Sequence, residues 1–136
     1  MHDRTRKLKV STKEHDTYFD RHAVRIVAMT GRAAGTAYEI RGERVTLGRG
    51  PGVDLAFDDT AMSRQHAVIE FDNGAFQLQD LGSTNGLRVN GNRVHVHTLR
   101  HGDRIELGTH LFQFLVEESD DRPDTYELSV DSEELR

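Results

Sequence analysis

Short stretches of alternating apolar and polar residues, separated by tight turns, run through most of the chain and limit the folds it can adopt. Residues 66–71 alternate cleanly, with Ala67, Ile69 and Phe71 on one side of a strand. The sequence Asp-Asn-Gly at 72–74 then predicts a hairpin turn, and alternation resumes at residues 75–79. About ten or eleven such segments, with no helical stretch of useful length, predict an all-β fold, an antiparallel β-sandwich.

The composition divides the 136-residue chain into three parts. Residues 1–22 are polar and charged without a sustained period, which is typical of a flexible tail. Residues 23–117 carry the strand pattern and are long enough for one domain with a modest core. Residues 118–136 are acidic, which is typical of a second tail or of a linker.

Bulk properties exclude several classes of protein. The net charge of −5 argues against a general binder of nucleic acids or anionic membranes, so any anion site has to be local. There are no cysteines, which excludes disulfides and thiolate metal sites. No apolar run approaches membrane-spanning length, and the basic N-terminus lacks an apolar signal core, so we expect a cytoplasmic protein.

Hydrogen-bond donors cluster at three predicted strand ends. Gly48-Arg49 ends one strand, Ser63-Arg64-Gln65-His66 enters the next long one, and Ser83-Thr84-Asn85-Gly86 forms a tight loop. A guanidinium, hydroxyls and amides are the groups that bind phosphate oxygens. If the three loops share one end of a sandwich, they converge on a single anion.

Taken in order, these motifs and the turn Asn90-Gly91 resemble the forkhead-associated (FHA) family over about residues 23–117. The resemblance implies an FHA/SMAD-like sandwich with its binding loops at one end. It also implies a non-enzymatic module that binds phosphothreonine peptides in Ser/Thr kinase signalling and needs no cofactor or metal. Such a module tethers a phosphorylated partner or regulates an attached effector domain, for example a transcription regulator, without contacting nucleic acid or membrane itself.

The resemblance also assigns roles to individual residues. Arg49, Ser63 and Thr84 are implied to hold the phosphate, and Asn85 to hydrogen-bond the peptide backbone beside it. Arg64 follows the serine, and its side chain either contacts the ligand or points to solvent. The residues implied to support the site are Gly48, His66, Ser83 and Gly86. His66 is implied to brace the loops from inside through hydrogen bonds.

Two positions depart from the family pattern. Leu87 stands where a threonine usually follows Asn-Gly, and we expect this to affect packing more than binding. Ala61 stands where some members carry an arginine that selects an acidic residue three places after the phosphothreonine. Peptide specificity therefore stays open.

Four other interpretations compete with this one. The glycines at 48–52 suggest a nucleotide site, but no Gly-Lys-Ser/Thr follows. His95 and His97 are expected on one side of a strand, but no further ligand is evidently placed to complete a metal site. A nucleophile built from Ser63 and His66 lacks an acid and a nucleophile elbow. A phosphate-independent interaction sandwich remains the main alternative, and the intact set of donors argues against it.

Two threonines in the predicted tails lie in acidic settings. Thr17 is followed by an acid three places later, and Thr125 lies between Asp124 and Tyr126. We expect an upstream Ser/Thr kinase and a phosphothreonine-containing partner. The chain's own tail, phosphorylated at either threonine, is a second candidate ligand, in cis or in trans.

Overall fold

The computed structural model describes residues 18–118, which contain eleven strands. The strands are β1 (His22–Ala28), β2 (Ala37–Glu39), β3 (Arg44–Gly48), β4 (Leu55–Ala56), β5 (Ala67–Asp72), β6 (Ala75–Asp80), β7 (Leu87–Val89), β8 (Asn92–Arg93), β9 (Val96–Leu99), β10 (Arg104–Leu107) and β11 (His110–Glu118). Within the described range, no helix is long and apolar enough to cross a membrane.

The strands form two sheets. One has six strands in the order β2-β1-β11-β10-β7-β8, and the other has five in the order β4-β3-β5-β6-β9. The predicted all-β sandwich is therefore confirmed. One described strand pair departs from the antiparallel pattern, because β3 and β4 run parallel, with Leu47 opposite Leu55.

The core lies between the sheets and includes alternating side chains of β5 and β11. Ala67, Ile69 and Phe71 of β5 belong to it, as do Phe112 and Phe114 of β11. Burying a large apolar side chain contributes about 1.5–3 kcal/mol. These contacts fix the strands, and hence the loops between them.

The fold includes residues that the charge pattern assigns to a tail. Residues 18–21 are helical, and β1 starts at His22, so the boundary placed after residue 22 is too late. Phe19 is buried, and the Tyr18 ring lies 4.9 Å from the Phe71 ring and 5.6 Å from the Phe76 ring, centroid to centroid. The reason is that two aromatic residues within a charged stretch cover apolar surface at this end of the sandwich. Residues 1–17 lie outside the described range.

Strand register brings the predicted binding loops to one end. Leu47, beside the end of β3, pairs with Ala67 at the start of β5, and Ala67 pairs with Asp80 at the end of β6. The loops that follow β3, precede β5 and follow β6 therefore leave the sheet together. The opposite end carries the pair His22 and Glu118, where the described chain enters and leaves.

Candidate functional site

Two hydrogen bonds from Arg49 connect the loop after β3 to the loop before β5. The Arg49 backbone N–H donates to the Ser63 carbonyl oxygen at 3.0 Å. The Arg49 side chain donates from Nε to the Met62 carbonyl oxygen at 3.1 Å. The Nε edge of the guanidinium is thus held by a hydrogen bond. Its two terminal NH₂ groups make no hydrogen bond or ion pair within the described residues. Arg49 is exposed, so these groups face solvent at the loop end.

Gly48 permits these hydrogen bonds because the backbones of the two loops nearly touch at this position. A Cβ atom at position 48 would overlap the Arg64 carbonyl oxygen and lie 2.7 Å from its carbonyl carbon. No side chain fits there without moving the backbone of one loop. The requirement for glycine at this position is therefore one of space.

Two further hydrogen bonds connect the loop between β6 and β7 to the loop before β5. The Thr84 backbone N–H donates to the Ser63 hydroxyl oxygen at 3.0 Å. The Asn85 side-chain amide donates to the Ala61 carbonyl oxygen at 2.8 Å. Its amide oxygen accepts no hydrogen bond from the described residues, which leaves it available to a ligand's N–H.

His66 holds the same loops together from beneath. Its side chain is fully buried, with 0% exposure. The Ser63 backbone N–H donates to Nδ1 at 3.0 Å, so Nδ1 carries no proton. Nε2 then carries the proton and donates to the Gly86 carbonyl oxygen at 2.7 Å. Both ring nitrogens are used, and the ring is the neutral tautomer.

This geometry excludes the Ser63–His66 nucleophile. The imidazole nitrogen nearest Ser63 is occupied by the backbone N–H of that residue, so it cannot take the hydroxyl proton. The hydroxyl itself accepts from Thr84. The pair forms a brace between loops.

Ser83 stabilises the turn between β6 and β7. Its hydroxyl donates to Asp80 Oδ1 at 2.5 Å and accepts from the Gly86 backbone N–H at 2.9 Å. Gly86 itself has a positive φ of 83°. These contacts fix the loop that presents Thr84 and Asn85, both of which are exposed.

Arg64 is exposed, and its aliphatic stem lies along Gly50. A Cβ atom at position 50 would lie 3.2–3.5 Å from the Cγ, Cβ and Cδ atoms of Arg64. The Arg64 guanidinium makes no hydrogen bond or ion pair within the described residues. It therefore adds positive charge beside Arg49.

Comparison with known proteins places this geometry in a family. A family model for the FHA domain matches residues 45–108. An FHA-domain structure from a structural and functional analysis of phosphothreonine-dependent FHA domain interactions matches with a TM-score of 0.64 and 33% identity. That match covers 68% of this chain and 95% of the other. The chain belongs to the FHA family.

Two curated relatives share this FHA domain. The glycogen accumulation regulator GarA of Mycolicibacterium smegmatis is 35% identical over 90 residues, or 66% of this chain and 57% of that protein. The oxoglutarate dehydrogenase inhibitor of Corynebacterium efficiens is 34% identical over 90 residues, or 66% and 63%. The chain thus spans about three-fifths of the length of these relatives.

A buried carboxylate anchors one of the FHA loops. Asp59 is only 5% exposed, and its Oδ2 lies 2.8 Å from His110 Nδ1 and accepts from the Thr109 backbone N–H at 2.8 Å. Its Oδ1 accepts from the Ala61 backbone N–H at 2.9 Å. Burial raises the pKa of Asp59. The hydrogen bonds from His110, from the Thr109 and Ala61 N–H groups and from the Thr109 hydroxyl outweigh it and lower the pKa from 3.8 to about 2.

The sequence alone did not predict this anchor. Asp58 and Asp59 form an acidic pair in the sequence, but Thr109 and His110, which contact Asp59, lie 50 and 51 residues further along the chain. A local signal exists only for the short turn in which Asp59 bonds Ala61, since aspartate often accepts from the N–H two residues on. The anchor matters because Ala61 is the residue whose carbonyl holds Asn85.

The two histidines considered as metal ligands lie in different settings in the structure. Strand β9 begins at Val96, and His95 directly precedes it. His97 Nε2 lies 3.1 Å from Asp103 Oδ2. Burial raises the pKa of Asp103, but hydrogen bonds from Asn90, the Arg100 N–H and His97 lower it overall. No three His, Cys, Asp or Glu side chains in the described part of the chain are grouped to hold a metal.

Proposed function

We propose that this FHA domain binds a phosphothreonine-containing segment of a protein partner and does no chemistry on it. The observation that supports this is the cross-linking of three loops at one end of the sandwich. It gathers the Arg49 guanidinium, the Ser63 and Thr84 hydroxyls and the Asn85 amide. A phosphate carries about −1.5 to −2 charge and three strong acceptor oxygens, which these donors match.

The assigned roles follow from which groups are free. Arg49 offers two terminal NH₂ groups in the planar geometry that suits two phosphate oxygens. Ser63 keeps its own O–H to donate, because its oxygen is the acceptor in the bond from Thr84. Asn85 offers its amide oxygen to a peptide N–H. Arg64 is proposed as an additional contact, since its guanidinium is exposed beside Gly50.

The biological role we propose is regulatory. The two relatives are named for control of glycogen accumulation and for inhibition of oxoglutarate dehydrogenase. By analogy, an upstream Ser/Thr kinase creates the ligand and the domain then tethers or restrains a cytoplasmic effector. The chain's own tail, phosphorylated at Thr17 or Thr125, is a further proposed ligand. Both threonines lie outside the described residues.

The test is a titration of the phosphatase-treated chain against matched peptide libraries centred on phosphothreonine or on threonine. We expect binding of the phosphorylated set alone, with a Kd on the order of 1 μM, which is about −8 kcal/mol. Phosphatase treatment beforehand clears the pocket of any phosphorylated tail.

Two variants make the test specific. Arg49→Ala should weaken phosphopeptide binding by about tenfold or more, because a charge-assisted contact is lost. Arg100→Ala is the matched control, since Arg100 is an exposed arginine that follows β9 at the other end of the sandwich. Equal binding of phosphorylated and plain peptides would instead support the phosphate-independent interaction domain.

A further inference from the structure

Arg93, in the short edge strand β8, reaches the FHA binding loop from outside it. A Cβ atom at Gly86 would lie 2.8 Å from Arg93 Cζ, 2.8 Å from Nη2 and 2.9 Å from Nε. The guanidinium therefore occupies the space beside Gly86 that a side chain at that position would need. Gly86 directly follows Asn85, so a positive charge lies at the edge of the loop that presents the peptide-binding amide.

Arg93 has a second arginine beside it. Arg88 of β7 is its direct partner in the antiparallel register, and both side chains are exposed. Like charges directly opposite each other on neighbouring strands destabilise a sheet. Within residues 18–118, neither guanidinium takes part in an ion pair or hydrogen bond, although Glu106 is opposite Arg88 in the register. A chain with a net charge of −5 thus keeps two unpaired arginines side by side, next to its binding loop.

An acidic ligand would relieve this arrangement. A carboxylate over the pair neutralises the mutual repulsion and meets donors that no other residue of the described range uses. The surface is continuous with the proposed phosphothreonine site through Gly86.

We propose that Arg93, with Arg88 beside it, determines specificity by favouring phosphothreonine peptides with an aspartate or glutamate close to the phosphothreonine. This inference rests on the proposed function and concerns the same site. Arg93 contacts the flanking residue of the ligand, while Arg49 and Ser63 bind the phosphate. The contribution of Arg93 to binding can be measured apart from those of Arg49 and Ser63. Arg93 lies on β8, whereas the other two lie in the loops after β3 and before β5.

The experiment is a peptide scan. Phosphothreonine is placed in an alanine-rich peptide, and one glutamate is introduced at each of the four positions on either side in turn. Each peptide is titrated into phosphatase-treated wild type, Arg93→Gln, Arg93→Lys, Arg88→Gln and Arg100→Gln. The last variant removes an exposed arginine remote from the loop and serves as the matched control.

We expect the best glutamate peptide to bind wild type about three- to fivefold tighter than the all-alanine peptide, the range of an exposed ion pair. Arg93→Gln should remove this preference and leave the all-alanine affinity within about twofold. Arg88→Gln should reduce the preference, while Arg93→Lys should retain most of it and Arg100→Gln all of it. The preference should shrink as salt shortens the screening length below about 10 Å.

Four outcomes would overturn the inference. If wild type binds all phosphorylated peptides equally, or Arg93→Gln keeps the preference, the inference fails while the phosphothreonine site stands. If Arg93→Gln weakens every peptide alike and lowers the melting temperature, Arg93 is a brace for Gly86 and not a specificity residue. If wild type binds no phosphorylated peptide, the proposed function fails and this inference fails with it.

Discussion

The Ser63 hydroxyl oxygen and the Thr84 backbone N–H are joined at 3.0 Å, although the residues lie 21 positions apart. The bond connects the loop before β5 to the loop between β6 and β7. It also leaves the Ser63 O–H free to donate to a ligand, because the Ser63 oxygen is the acceptor in this bond. The geometry of the site thus depends on a contact between its own binding residues.

This contact separates the effects of two substitutions. Ser63→Ala should weaken phosphopeptide binding about tenfold and lower the free energy of unfolding by about 1 kcal/mol, because the Thr84 N–H loses its acceptor. Thr84→Ala keeps that N–H and its bond, so it should weaken binding with little change in stability. Calorimetric titration and urea unfolding measure the two quantities. Equal stability of both variants would mean that the bond contributes nothing to the fold.

His66 should be the most sensitive buried polar position of the site. His66→Phe keeps much of the volume but leaves the Ser63 N–H and the Gly86 carbonyl without partners. Each unsatisfied group costs about 1–3 kcal/mol, so with two such groups the free energy of unfolding should fall by about 2–6 kcal/mol. Urea unfolding at neutral pH measures this, with the exposed His95→Phe as control. A loss no larger than that of the control would show that the brace is unimportant.

Glycines 48 and 50 should respond differently to the same added methyl group. Gly48→Ala places Cβ on the Arg64 backbone and should cost about 1–3 kcal/mol and weaken phosphopeptide binding, because the Arg49 and Ser63 loops must separate. For Gly50→Ala the nearest atoms belong to the flexible Arg64 side chain, so this variant should be nearly neutral in stability. Thermal unfolding of the two variants checks this. Similar melting temperatures would contradict the close approach at Gly48.

Asp59 should make stability depend on acid pH. Its pKa falls from 3.8 to about 2 on folding, so its contribution is present above pH 4 and is lost as the pH drops toward 2. A shift of this size corresponds to about 2 kcal/mol at neutral pH. Asp59→Asn should therefore be less stable than wild type by about that amount at pH 7. In urea unfolding, the difference should narrow between pH 4 and pH 2, and a constant difference would contradict the assignment.

Local patterns predicted most of the strands. Alternation with a period of two places Ala67, Ile69 and Phe71 on one face of a strand, and the structure has all three in the core. The pattern did not predict that Val68, on the other face, is buried as well. Turn sequences such as Asn73-Gly74 mark hairpins, because both residues adopt a positive φ. These signals need only neighbouring residues, so one sequence suffices to read them.

What the sequence left unpredicted depends on distant partners. Asp59 is a buried anchor only because Thr109 and His110 reach it across the sandwich. The close approach of Arg93 to Gly86 follows from the register of β7 and β8, and no repeating pattern in the sequence predicts it. Phe19 looked like part of a polar tail because its burial depends on Phe71 and Phe76, far along the chain. The roles proposed for the binding residues themselves await ligand titration.

The docking of Tyr18 against Phe71 places the first described residue far from the binding loops. The Tyr18 ring also stacks on His22, with 4.0 Å between centroids, and His22 pairs with Glu118. Phe71 and His66 are separated by roughly 17 Å of strand, at about 3.4 Å per residue. Both ends of the described range therefore lie at the end of the sandwich opposite Ser63. A fluorescent label attached at position 118 would thus leave the binding loops open to a phosphopeptide.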